Sequence, residues 1–104
     1  MQALDAFLTE LRPLLVRSGA RAAYLFGSYA RGEADEHSDI DLIVVAPSDL
    51  PPVERFRAYL PAIVGAGVGV DLFVYTPAEF RALQDEGRPF LMHALESARL
   101  VYEG

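Results

Sequence analysis

Residues 27–45 read GSYARGEADEHSDIDLIVV, and the order of residue types in that stretch decides the fold. Its second half, Asp39 to Val45, is rich in β-branched residues and stops just before Pro47, which predicts a strand. Asp39 and Asp41 stand two apart, so strand alternation sends both side chains to one face, where they can converge on one ion. The first half opens with Gly27-Ser28 directly after the short apolar run Ala22-Ala23-Tyr24-Leu25-Phe26. That order predicts a strand, a tight turn, and a helix short enough to finish before Ser38. Glycine lets a backbone approach a ligand closely, and a helix start presents free N–H groups to an anion. Ser28 adds a hydroxyl donor. Arg31, about one turn later, either reaches a phosphate oxygen or makes a surface ion pair.

Working outward, Val68 to Tyr75 is a second apolar strand, with Asp71 near its start. Asp41 lies between Ile40 and Leu42, and Asp71 between Val70 and Leu72. Acids among such neighbours cost stability unless they sit at an open sheet end or bind a cation. Three of them invite Mg²⁺. For Ser28 and Asp39 to share a site, the first two strands must be antiparallel. Asp41 and Asp71, both near strand starts, meet only across a parallel pair, which needs a crossover of a dozen or more residues. Residues 46–67 supply it, so a mixed sheet is expected.

The remaining segments read as helices around that sheet. Leu4, Phe7, Leu8, Leu11, Leu14 and Leu15 recur at helical spacing, stopping near Ser18-Gly19, with Pro13 a candidate kink. Val53 to about Val64 is expected to be helical, with Phe56, Leu60 and Ile63 on one face and Pro61 challenging its continuity. Gly65, Gly67 and Gly69 precede a strand instead of following one, so they read as a turn, not a dinucleotide loop. Thr76-Pro77-Ala78-Glu79 is a helix start, and that helix should end near Gly87. A last helix from Pro89 to about Ala98 and a short strand from Arg99 to Tyr102 complete the chain. Phe90, Leu91, Met92, Ala94, Leu95 and Ala98 span a broad arc of that helix, suited either to deep packing or to a partner protein. His37 reads as an exposed loop residue and His93 as an ordinary helix residue.

Composition narrows the chemistry. At 104 residues, one domain over residues 1–104 is expected. A hydrophobic content of 52% argues against long disorder. The net charge is −6, all nine cationic side chains are Arg, and they form no basic run, which argues against a nucleic-acid groove. An anionic ligand would be held by a few placed groups and a metal. The absence of cysteine excludes thiolate chemistry. Neither a signal-peptide pattern nor a membrane-length apolar run is present, so a cytoplasmic protein off the membrane is expected.

Gly27-Ser28, ten intervening residues, Asp39-Ile40-Asp41 and then a hydrophobic strand carrying Asp71 resemble the DNA polymerase β-like nucleotidyltransferase superfamily. The 27–45 string is similar to its minimal nucleotidyltransferase group, which includes an antitoxin paired with a HEPN-domain toxin. The resemblance implies the nucleotidyltransferase fold: α/β (α+β), a mixed β-sheet with helices packed mainly on one face. It implies that Gly27 and Ser28 hold the triphosphate of ATP or another NTP, and that Asp39 and Asp41 bind Mg²⁺. Asp71 would complete the metal site or assist deprotonation of the acceptor. The activity implied is transfer of AMP from ATP to a hydroxyl of a HEPN-family toxin encoded nearby. Two other readings stay open: a non-catalytic antitoxin acting by occlusion, and transfer to a small molecule such as an aminoglycoside. Self-association into a homo-oligomer is a further option.

Overall fold

Four strands assemble into one sheet in the computed structural model of the chain, which describes residues 2–104. They are β1 (Ala22–Phe26), β2 (Ile40–Val45), β3 (Val70–Tyr75) and β4 (Arg99–Glu103), in the spatial order β3-β2-β1-β4. β2 is internal because both of its faces are apolar: Ile40, Leu42 and Val44 are buried on one, Ile43 and Val45 on the other. β1 pairs antiparallel with β2, placing Phe26 opposite Asp41. β2 and β3 run parallel, with Asp41 opposite Asp71. The mixed sheet expected if Ser28, Asp39, Asp41 and Asp71 share one site is the one observed, and β4 adds an antiparallel outer strand beside β1.

Helix α1 (Gln2–Arg17) carries Phe7, Leu11 and Leu15 at helical spacing, and all three are buried in one core with Ile40, Leu42 and Val44. Tyr29, on the short helix α2 (Gly27–Arg31), joins the same core. The opposite sheet face is covered at one end by α4 (Pro77–Asp85) and α5 (Pro89–Glu96), through Phe80, Leu83, Leu91 and Ala94. The other end of that face, where β2 and β3 begin, is left to Asp41 and Asp71.

The crossover departs from expectation. The spacing predicts helix from Val53 to about Val64 with Phe56, Leu60 and Ile63 on one face and Pro61 challenging its continuity; instead a 3-10 segment (Pro52–Tyr59) precedes α3 (Leu60–Val64). A 3-10 helix has three residues per turn, which changes the residues that share a face. Arg55, Tyr59 and Ala62 are buried, whereas Phe56 and Leu60 are 38% and 40% exposed. Pro61 falls in the first turn of α3, where its missing N–H costs nothing.

Arg55 explains why that register is held. Its Nε donates to the Leu50 carbonyl at 3.0 Å and one Nη to the Val74 carbonyl at 3.2 Å, while both Nη atoms reach the Glu79 carboxylate. Glu79 also closes a capping box: it accepts from the Thr76 N–H at 2.9 Å, and its own N–H donates to Thr76 Oγ1. The Arg55 guanidinium holds the Glu79 carboxyl below the usual range. One ion pair thus ties the crossover, the free edge of β3 and the start of α4.

Candidate active site

Asp41 and Asp71 meet because parallel neighbours in register point the same way, with strands about 4.8 Å apart. Asp39 stands one residue before β2, at the same end of the sheet. Asp41 is half-buried, while Asp39 and Asp71 are exposed. The crowding has an electrostatic consequence at Asp41. Burial, then the nearby Asp71, then Asp39 push its carboxyl up from 3.8 to about 6, and Arg31 pulls weakly the other way.

Two glycines shape the space around these acids. Gly27 has φ +72, a backbone that favours glycine, and a side chain there would overlap the Asp41 carboxylate. Gly69 lies equally close to the Asp39 carboxylate. Ser28 follows in the first turn of α2 and is half-buried. Arg31 is exposed, and its Nε donates to Glu33 Oε1 at 2.6 Å, so as it stands it makes the surface ion pair. Its guanidinium is nevertheless near enough to act on Asp41.

The donor set suits a divalent cation that shares its ligands with a substrate. Among the described residues, no three acidic, histidine or cysteine side chains form a ready metal cage. Mg²⁺ does not ask for one: it is usually held by one or two carboxylates together with substrate phosphates. Burial together with repulsion from Asp71 and Asp39 raises Asp41, and a bound cation offsets both.

Beyond the acids stands an aromatic wall. Phe26, Phe73 and Phe90 pack with centroid separations of 5.1 to 6.2 Å, and Phe73 and Phe90 remain 38% and 48% exposed. On the outer side of β3, an open pocket of about 320 Å³ is lined by Phe56, Ile63, Val70, Asp71, Leu72 and Phe73. Asp71 therefore faces both the acid cluster and an apolar recess. His37 and His93 have side chains 84% exposed, outside this cluster, as expected of a loop and a surface helix position.

Gly27, Asp39, Asp41 and Asp71, expected to share a site, lie together at this end of the sheet, with Ser28 adjoining. Gly69 reads from sequence only as part of a turn. The parallel register supplies the missing signal, because the residue before Val70 must lie beside the residue before Ile40.

Residues 6–101 match the nucleotidyltransferase domain family. The chain belongs to that family. Among relatives of this nucleotidyltransferase, protein adenylyltransferase MntA of Thermococcus cleftensis is 36% identical over 72 residues, 65% of this chain and 72% of the relative. A solved structure assigned as a minimal nucleotidyltransferase is 31% identical and superposes with a TM-score of 0.66, over 94% of this chain and 92% of that one. The fold is also that of the MNT antitoxin solved in complex with a tri-AMPylated HEPN toxin from Shewanella oneidensis. That match has a TM-score of 0.60 at 22% identity, covering all of this chain and 74% of the other. Among the described residues no helix of the nucleotidyltransferase is long and apolar enough to cross a membrane.

Proposed function

We propose that the chain is a Mg²⁺-dependent protein adenylyltransferase, the antitoxin of a HEPN-family toxin, moving AMP from ATP to a hydroxyl of that toxin. The observation that carries this reading is that Asp39, Asp41 and Asp71 share one end of the sheet beside the Gly27-Ser28 turn. The named adenylyltransferase relative and the AMPylated toxin bound to a protein of the same fold point to the acceptor class.

In this reading Gly27 lets the triphosphate approach the α2 backbone, and Ser28 donates its hydroxyl to a phosphate oxygen. Asp39 and Asp41 would hold the cation, and Asp71 would complete its ligands or take up the acceptor proton. When bound, Mg²⁺ neutralises charge at the phosphates and orients the reacting group. The acceptor oxygen bonds to the α-phosphorus as the bond to the bridging oxygen breaks, and pyrophosphate leaves. The hydroxyl proton passes to an Asp71 oxygen or to water. The apolar recess beside Asp71 supports an acceptor delivered by a protein surface.

The test is incubation of the purified chain and its HEPN partner with ATP and Mg²⁺, followed by intact-mass spectrometry of the partner. A gain of one or more AMP masses, abolished by Asp39→Asn or Asp41→Asn, is expected. A folded, nucleotide-bound chain that never modifies the partner would reject catalysis. Neutralisation of the toxin that survives both substitutions would favour occlusion instead.

A further inference from the structure

We infer that Gly69 is a positioning residue for Asp39: its missing side chain is the space the Asp39 carboxylate occupies. A Cβ at Gly69 would overlap Asp39 Oδ1 and stand 2.8 Å from Cγ and 3.3 Å from Oδ2, where real Cβ contacts stay beyond 3.0 Å. A left-handed backbone does not explain the glycine, because Gly69 is absent from the positive-φ residues. Space does. Of the three glycines between Val64 and β3, Gly67 has open space around it and Gly65 touches a Pro61 carbonyl; Gly69 alone meets an acid of the cluster.

The backbone cannot retreat from such a clash. The Ile40 N–H donates to the Gly69 carbonyl at 2.9 Å, immediately before the Ile40–Val70 rung of the parallel ladder. The movable part is the far end of the exposed Asp39 side chain. A methyl group at residue 69 therefore leaves the fold in place and displaces the carboxylate from the position it holds at this end of the sheet. Gly27 is a poorer probe of the same principle, since its φ of +72 adds backbone strain to its contact with Asp41. The inference rests on the proposal that Asp39 is a cation ligand, and its test separates the two.

Mn²⁺ is titrated into the full chain with a non-hydrolysable ATP analogue and followed by electron paramagnetic resonance, beside thermal melts. The variants are Gly69→Ala, Asp39→Asn and Val68→Ala, the last a packing control on the same segment. Groups that orient metal ligands typically cost about 10–100-fold in metal affinity or activity when changed. Gly69→Ala should weaken Mn²⁺ binding in that range, slow AMP transfer in parallel, and melt within a few degrees of the parent. Wild-type Mn²⁺ affinity in Gly69→Ala with loss in Asp39→Asn would overturn the role of Gly69 while leaving Asp39 a ligand. Wild-type affinity in Asp39→Asn would overturn the ligand reading itself. An unfolded Gly69→Ala would place the clash in the backbone and overturn the inference, as would an equal loss in Val68→Ala.

Discussion

Replacing Asp41 by Asn should stabilise the cation-free protein while abolishing its chemistry. Asp41 is partly withdrawn from water and crowded by Asp71 and Asp39, and its carboxyl is raised from 3.8 to about 6. One pH unit of such displacement corresponds to about 1.4 kcal/mol, so the charged form costs the fold about 3 kcal/mol at most. Solvent reaches this half-buried group, and screening lowers the figure to about 1 kcal/mol. The sign follows from which state holds the proton. Below 3.8 the group is neutral in both states and the substitution is silent. Between 3.8 and about 6 the unfolded chain ionises first, and the penalty on the native state grows until it is complete above 6. For a chain of this size about 1 kcal/mol moves the melting temperature by roughly 4–8 °C. Differential scanning calorimetry without divalent cation should show Asp41→Asn melting higher than the parent by that amount at about pH 7.5, with the two melting together below pH 3.8. Addition of Mn²⁺ with an ATP analogue should stabilise the parent and leave the variant unmoved. A variant that melts at or below the parent at neutral pH would refute the burial and crowding that raise Asp41.

Glu79→Ala should destabilise by about 2 kcal/mol in urea denaturation, below the roughly 3–5 kcal/mol of a fully buried pair because the Glu79 side chain is 39% exposed. The contribution of Glu79 has the opposite pH sign to that of Asp41. Its carboxyl is lowered, chiefly by Arg55, so the stability it confers is complete above its ordinary 4.5 and is lost as pH falls below that value. Gly27→Ala should lose both AMP transfer and about 1 kcal/mol of stability, since it strains a left-handed backbone and crowds the Asp41 carboxylate. A Gly27→Ala protein with parent activity would remove the Gly27 contact from the site.

The order of elements was legible because the acids mark their own strands. Asp39-Ile40-Asp41 and Val70-Asp71-Leu72 each break an apolar run, and bringing these acids to one site requires an antiparallel and a parallel pairing, which the connection lengths permit. The crossover was less legible: Phe56, Leu60 and Ile63 fit an α-helical face, and nothing local to residues 52–59 announces a 3-10 period. What selects that period is Arg55, whose partners Val74 and Glu79 lie 19 and 24 residues away. Gly69 was hidden for a related reason. Its role exists only once β2 and β3 are in register, and a glycine needed for space looks like one needed for a turn.

Crystals grown with AMP-PNP and Mn²⁺ would locate the cation by its anomalous scattering. A peak at coordination distance from the carboxylates of Asp39 and Asp41, with Asp71 facing it and the triphosphate lying along Gly27-Ser28, is the expected result. Nucleotide bound with no peak between those carboxylates, or with the metal seated elsewhere on the chain, would contradict the assignment of the three acids.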